Sequence, residues 1–283
     1  MRIPLTLLRR PPKAAQPLGE QPPDPGMVGS RGPARAPAHE RAVGVRVDDA
    51  TRQLYQVISL ILDYPGAQLR ERLPVLRRAV QECARSGVRG AAALLPLLDH
   101  LERAPLQALE RDYVETFDLR RRCCLHLSYY GYGDTRKRGM ALLDIKQAYQ
   151  ASGVDLSDDE LPDHLCVLLE FTATIDPPVG RVLLLDHRPG IELLRLSLAD
   201  RGSVYAAALD ALTSTFPAMI GDDRDAVRAL IAAGPPDEEV GMEAYRWSER
   251  EPDHRELDHR ELDQREPDRR EPDHVDPYVT TTR

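Results

Sequence analysis

The sequence predicts an all-α protein in which residues 48–245 form a single compact bundle of about ten helices. Apolar residues between 49 and 233 recur every three or four positions and show little of the alternation typical of strands. Proline and glycine interrupt this pattern at helix-length intervals. The two ends of the 283-residue chain lack the pattern, which predicts a disordered arm at 1–47 and a disordered tail at 246–283.

Composition explains why neither end is expected to fold. Residues 1–47 are rich in proline, glycine, alanine and arginine, and they cannot bury enough apolar surface to offset the entropy of ordering. The tail repeats the pattern Arg-Glu-x-Asp-x. A five-residue period matches neither a helix face nor a strand, so the tail is a low-complexity segment.

Each helix is predicted from an apolar stripe and the residues that end it. The first stripe ends at Tyr64, Pro65 and Gly66, and Pro105 suits the first position of a later helix. In chain order the predicted helices lie near residues 54–62, 69–83, 94–101, 105–117, 140–149, 162–175, 178–187, 190–200, 203–216 and 223–232.

The helix near 162–175 has the clearest start signal. Ser157 and Glu160 have the spacing of a capping box, and Pro162 is tolerated only in a first turn. We therefore expect the helix to start near Pro162, with Leu168 on its buried face.

Charge and hydropathy restrict the possible partners. The formal net charge is −8 and the folded part is acidic, which argues against a nucleic-acid partner. Arg9 and Arg10 are followed by Pro11 and Pro12 where an export signal needs an apolar run. No stretch approaches the roughly 20 apolar residues of a membrane span. The sequence predicts a cytoplasmic protein with no direct membrane insertion.

Catalytic and metal-binding motifs are missing. The chain has no Walker loop, no His-Glu-x-x-His, no Gly-x-Ser-x-Gly and no dinucleotide fingerprint, so we expect no enzyme activity, no cofactor and no metal. One rival is a small metal-binding or thiol-redox protein. It would use a group of cysteines and histidines that consists of Cys123, Cys124, His126, His164 and Cys166. Adjacent cysteines such as Cys123 and Cys124 rarely chelate one ion, which argues against this rival.

Three segments resemble those of a known family. They are FDLRRR at 117–122, GDTRKRG at 133–139, and ELPDHL at 160–165, which precedes the run CVLLEF. Together they resemble the NarJ branch of the redox-enzyme maturation chaperones, the TorD/DmsD/NarJ family. The resemblance covers about 49–245 and is strongest in 113–171.

The resemblance implies a function based on binding. Such a chaperone holds the N-terminal segment of the apo alpha (catalytic) subunit of nitrate reductase, keeps it competent for molybdenum cofactor insertion and complex assembly, and is not part of the final enzyme. The expected state is a monomer, although some relatives exchange helices between chains. A chaperone of the same fold for another molybdoenzyme is the alternative.

Asp163 and His164 are the first candidate site residues, because Pro-Asp-His resembles the family signature near the client-binding face. The resemblance implies that they contact the client together with Leu161 and Pro162. A cap on the following helix is the structural alternative for Asp163, since a carboxylate accepts from free backbone N–H groups there. A cap leaves the imidazole of His164 unexplained.

Three tyrosines form a second candidate set. Tyr129, Tyr130 and Tyr132 stand beside glycines, and we expect them in a loop. Tyrosine suits a surface that is apolar and also makes a hydrogen bond, so these residues are expected to contact a client peptide.

Charged residues form the third set. Asp134, Arg136 and Arg138 open a helix whose positive dipole end disfavours cations, so neighbouring acids or a partner should compensate. Asp118 and Arg120 in the FDLRRR turn are interpreted in the same way. A solvated face paired with acids is the alternative to client contact.

Overall fold

The computed structural model describes residues 36–133, 135–156, 160–219 and 221–233, and all of them belong to one compact unit. Their regular structure is helical, which confirms the all-α prediction. The α-helices are α1 (Ala38–Arg41), α2 (Asp49–Ile61), α3 (Ala67–Arg85), α4 (Leu95–Arg103), α5 (Leu106–Tyr113), α6 (Leu127–Tyr132), α7 (Arg136–Ala151), α8 (Leu165–Thr174), α9 (Pro177–Asp186), α10 (Arg188–Asp200), α11 (Ala206–Ser214) and α12 (Gly221–Ala233). Shorter helical turns lie at Ala91–Leu94, Val114–Asp118, which is π-helical, and Arg121–Cys123.

Helix α8 lies at the centre of the bundle, and its residues 165–173 are all buried. Helices α2 and α9 pack against it. Gly180 makes the α8–α9 approach possible, because a β-carbon at this position would lie 2.7 Å from the Cα of Thr172. The rings of Tyr149 and Phe171, 4.4 Å apart, join α7 to the same core.

Local capping signals explain where several helices begin. The Asp48 side chain accepts a hydrogen bond from the backbone N–H of Thr51 and caps α2. Asp176 accepts from Val179 N–H and caps α9, which starts at Pro177. These are the residue types that satisfy the free N–H groups of a first turn.

The start of α8 differs from the prediction, because α8 begins at Leu165 rather than near Pro162. The preceding residues pair with another segment instead: Leu127 N–H donates to the Asp163 carbonyl at 3.1 Å, and Leu165 N–H donates to the Leu125 carbonyl at 2.9 Å. An isolated antiparallel bridge joins His126 and His164. Ser157 of the predicted capping box lies outside the described residues.

The arm predicted for residues 1–47 is wrong in its last part, because the folded chain begins before residue 48. Residues 38–41 form α1, and the side chains of Ala38 and Ala42 are buried in the hydrophobic core. Two alanines one helical turn apart escape a search for long apolar stripes. Residues 1–35 and the predicted tail at 246–283 lie outside the described residues.

Among the described residues, no helix is both long enough and apolar enough to cross a bilayer.

Candidate functional site

A buried carboxylate lies where the bridged segments meet. The Asp163 side chain is fully buried, and its Oδ1 accepts a hydrogen bond from His126 Nδ1 at 3.1 Å. Its Oδ2 accepts from the backbone N–H of Ser128 at 3.1 Å and from the Ser128 hydroxyl at 2.5 Å. Arg138 donates from Nε to the same hydroxyl at 3.2 Å, and its Nη2 lies 3.9 Å from Asp163 Oδ2. We call Ser128, His126, Arg138 and Asp163 the Asp163 cluster.

These contacts decide the charge of Asp163. Burial alone would raise the pKa of the carboxyl group, but the hydrogen bonds from His126 and Ser128 outweigh it, so the pKa of Asp163 lies below its ordinary value. The side chain is therefore a buried carboxylate held by donors. It does not cap α8, which was the structural alternative, since its two oxygens accept from His126 and Ser128.

His164 packs against the cluster instead of facing solvent. Its ring meets that of His126 edge to face, with centroids 5.0 Å apart. Burial, with a smaller effect of His126, lowers the pKa of His164 to about 4. Its Nδ1 is buried and has no hydrogen-bond partner among the described residues. The imidazole is thus neutral near pH 7.

The cluster fixes the segment that precedes α8. The backbone N–H of His164 donates to the Leu161 carbonyl at 3.1 Å, and the Tyr149 hydroxyl donates to the Pro162 carbonyl at 2.8 Å. Pro162 is buried, whereas Leu161 remains 42% exposed. Of these four predicted site residues, Leu161 is the most exposed, His164 is half-buried, and Pro162 and Asp163 are buried.

The three tyrosines lie on α6, so the prediction that they occupy a loop is wrong. Tyr130 is buried: its hydroxyl donates to the carbonyls of Arg122 and Cys124, and a β-carbon at Gly190 would lie 3.0 Å from its ring. Tyr129 is also buried, with the Arg138 guanidinium 6.0 Å from its ring centre. Tyr132 is 42% exposed and is the member of the set that can contact a partner.

The predicted charged site residues also divide into exposed and mostly buried side chains. Arg136 is exposed at the start of α7, while the Arg138 side chain is only 18% exposed and belongs to the Asp163 cluster. Asp118 and Arg120 are exposed, at and just after the end of the π-helical turn. Asp134 lies outside the described residues. The buried carboxylate of Asp163, 3.9 Å from Arg138 Nη2, is one acid that compensates Arg138.

Helix α7 presents exposed apolar side chains next to Leu161. Met140 is 50% exposed and Leu143 is 45% exposed, although the sequence placed both on a regular helix stripe. Beside them is a depression of about 290 Å³ whose walls include Leu142, Leu156 and Leu161. We call Met140, Leu143 and Leu161 the α7 surface. Exposed apolar residues grouped in this way mark interaction sites on soluble proteins.

Comparison with known proteins identifies the family. The chain is 30% identical over 158 residues to the probable nitrate reductase molybdenum cofactor assembly chaperone NarJ of Bacillus subtilis. The aligned region covers 56% of this chain and 85% of that protein. The chain belongs to the NarJ family. The corresponding chaperone NarJ of Escherichia coli K12 is 32% identical over 169 residues, covering 59% of this chain and 71% of that protein.

Two further matches agree with NarJ-family membership. The family model described as nitrate reductase delta subunit matches residues 81–208, which include the Asp163 cluster and the α7 surface. The nitrate reductase-like protein NarX of Mycobacterium tuberculosis H37Rv is 38% identical over 163 residues, which is 57% of this chain. The chain spans about a quarter of that relative, with 24% of its length covered.

Three of the four cysteines of this NarJ-family chain are poor metal or redox groups. Cys83, Cys123 and Cys166 are buried, and burial raises the pKa of each thiol, for Cys83 to about 11. A raised pKa disfavours the thiolate that binds metals and exchanges disulfides. Within the described ranges, no three His, Cys, Asp or Glu side chains are grouped to hold a metal ion.

Sequence reasoning missed Ser128 as a site residue and treated His126 only as a possible metal ligand. It also missed Met140 and Leu143 as surface residues. The available signal was that Leu125 and Leu127, both buried, alternate with His126 and Ser128 in the manner of an extended segment. The exposure of Met140 and Leu143 has no such signal, because a helix stripe does not reveal which face remains uncovered.

Proposed function

We propose that this chain is a cytoplasmic assembly chaperone for nitrate reductase. It binds the N-terminal segment of the apo alpha subunit, keeps that subunit competent for molybdenum cofactor insertion and complex assembly, and is not part of the final enzyme. The chain acts as a monomer and by binding alone. NarJ-family membership supports the client class, and the exposed apolar α7 surface is the observation that carries the binding mode.

The α7 surface suits an amphipathic client segment. Met140 and Leu143 are three positions apart on one helix, so their side chains share a face beside Leu161. An amphipathic client helix would place its apolar face on this surface and would be held by apolar side chains about one helical turn apart. Arg136 and Lys146, on the same helix, give the surface a basic border that can pair with carboxylates of the client.

The Asp163 cluster supports this surface indirectly. Asp163 joins residues 161–164 to the start of α6, the Tyr149 hydroxyl binds the Pro162 carbonyl to α7, and Arg138 lies close to the Asp163 carboxylate from the first turn of α7. The sequence signature around these residues is therefore explained by positioning of Leu161. Asp163 and His164 do not need to touch the client.

Release requires only a difference in affinity between two states of the client. A segment that is free in the apo subunit binds the α7 surface, and the same segment packed into the assembled enzyme does not. A protein that binds one state and not the other shifts the equilibrium by that difference. No covalent step or bound nucleotide is required.

Titration calorimetry with a synthetic peptide of the client's N-terminus tests the proposal. The full chain should bind the peptide with micromolar or tighter affinity. Leu143→Asp should weaken binding about tenfold or more, because it places a charge in the contact. Ile231→Asp is the matched control, since Ile231 is also exposed, at 51%, but lies on α12.

Two outcomes contradict the proposal. One is an absence of heat with the nitrate reductase peptide together with binding of the corresponding peptide from another molybdoenzyme, which would identify a chaperone of the same fold with a different client. The other is equal weakening by Leu143→Asp and Ile231→Asp, which would remove the α7 surface from the binding site.

A further inference from the structure

A second groove lies on the other side of α7. We call it the α1 groove. It is a cavity of about 530 Å³ whose walls include Tyr132 of α6, Asp144 and Ile145 of α7, and Asp186 of α9. Successive residues of a helix are rotated by about 100°, so Ile145 faces away from Leu143 of the α7 surface. The α1 groove and the α7 surface therefore lie on different faces of α7.

The chain's own α1 occupies one side of this groove. Helix α1 packs against α9 and α7, and it buries the side chains of Ala38 and Ala42, which lie four positions apart on the same helix face. His39 and Glu40, between them, are exposed. Small side chains let the helix backbone approach the groove closely.

A charged pair fixes the position of α1. Arg41 donates from Nη1 to Asp186 Oδ1 at 2.7 Å and from Nη2 to Asp186 Oδ2 at 2.5 Å, while its Nε donates to the Ala36 carbonyl at 2.8 Å. The Asp186 side chain is only 13% exposed. Two parallel hydrogen bonds between a guanidinium and a carboxylate give geometric specificity as well as attraction.

The contact between α1 and the groove is small for the space available. Helix α1 has four residues, and Pro37 before it provides no side-chain cap. Helices this short do not form on their own, so the groove holds α1 in its shape. Within the part of the chain that the structure describes, the cavity beside α1, with the exposed carboxylate of Asp144 on its wall, has space for a longer and more basic helix.

We propose that the α1 groove is a docking site for a helical segment of a partner protein. The segment has two small apolar side chains four positions apart and an arginine directly before the second, the pattern of Ala38, Arg41 and Ala42. In the free chain α1 occupies the site, and the partner segment displaces it. The carboxylates of Asp144 and Asp186 select a basic helix.

A labelled peptide of residues 36–47 is the probe, and its binding is followed by fluorescence anisotropy. The full chain should bind it weakly, because its own α1 competes. A full chain with Ala38→Asp and Arg41→Glu should bind about tenfold or more tightly, since a larger fraction of its grooves is open. Adding Asp186→Asn to this variant should abolish binding.

A charge exchange checks the specific contact. Asp186→Arg in a chain that carries Ala38→Asp and keeps Arg41 should lose the original peptide and bind a peptide that carries Arg41→Glu. Thermal melting of each variant verifies that it is folded, and deuterium exchange at the amides of residues 38–42 reports whether α1 has left the groove. Faster exchange in the Ala38→Asp, Arg41→Glu chain is expected.

Three results would overturn the proposal. The first is peptide binding that does not change when Asp186 is replaced. The second is a folded chain whose α1 amides exchange fast but whose affinity for the peptide stays that of the unsubstituted chain. The third is dimer formation by the unsubstituted chain in light scattering that is lost in the Ala38→Asp, Arg41→Glu chain, because the groove would then take α1 of a second copy and not a partner segment.

Discussion

Ser128 donates two hydrogen bonds to one carboxylate oxygen of Asp163, one from its backbone N–H and one from its hydroxyl. The two residues are 35 positions apart, so these bonds join the start of α6 to the segment before α8. His126 donates a further hydrogen bond to the Asp163 carboxylate, and Arg138 forms an ion pair with it. One buried carboxylate therefore joins the starts of α6 and α7 to the segment that presents Leu161.

The first prediction concerns that carboxylate. Asp163→Asn should lower the free energy of unfolding by about 3 kcal/mol, because donors that now face a charged acceptor would be left poorly paired inside the protein. Asp225→Asn is the control: Asp225 pairs with Arg228 on the surface, and loss of such a pair costs about 0.5 kcal/mol or less. Urea unfolding of both variants provides the measurement. Equal costs would show that the Asp163 cluster adds no stability.

The second prediction is a loss of stability in mild acid. The pKa of His164 falls from 6.5 in the unfolded chain to about 4 in the folded protein. Between these values the unfolded chain binds more protons, so stability is complete above pH 6.5 and decreases as the pH falls towards 4. A shift of this size corresponds to roughly 3 kcal/mol at most. Asp163 acts in the same direction, because its pKa is also lowered.

Unfolding of the His164→Gln variant isolates the contribution of this histidine. A neutral side chain at this position cannot take up the proton, so the dependence of stability on pH should become flatter between 6.5 and about 4. His39→Gln, at an exposed histidine of α1, is the control variant. An unchanged slope for His164→Gln would mean that another group carries the acid sensitivity.

The helical core could be predicted from the sequence because its signal is local. A stripe with apolar residues three or four positions apart specifies a buried helix face without reference to any other segment. Leu168 is an example: it was placed on the buried face of its helix and is fully buried. The prolines and caps that start α2 and α9 are equally local.

The site could be predicted only in outline, because its geometry depends on contacts between distant segments. The bridge between His126 and His164 has no periodic signal, yet it moves the start of α8 and buries Asp163. Tyr130 was misplaced for a related reason. Glycines beside it favour a loop, but α6 ends only at Gly133, whose positive φ of 54° stops the helix.

The third prediction separates binding from folding with one pair of variants. His164→Ala should weaken client binding, because it loosens the segment that carries Leu161, and it should cost about 1 kcal/mol of stability, since the ring is partly buried. Leu168→Ala should cost about 2 to 5 kcal/mol and leave the affinity of the remaining folded protein unchanged. Calorimetric titration and thermal melting measure the two effects. A His164→Ala chain that unfolds as readily as Leu168→Ala would make His164 a purely structural residue.

The last prediction uses two glycines in different helices. Gly180→Ala should destabilise the protein by roughly 2 kcal/mol or more, because its β-carbon would lie 2.2 Å from Thr172 Oγ1 and 2.7 Å from Thr172 Cα, so that α8 and α9 must separate. Gly139→Ala in α7 should stabilise it by up to about 1 kcal/mol, since nothing lies within 4 Å and alanine is the better helix former. Chemical unfolding of both single variants measures the difference. If Gly180→Ala is as harmless as Gly139→Ala, α8 and α9 do not approach each other this closely in solution. The position of α8, and with it that of residues 161–164, would then have to be revised.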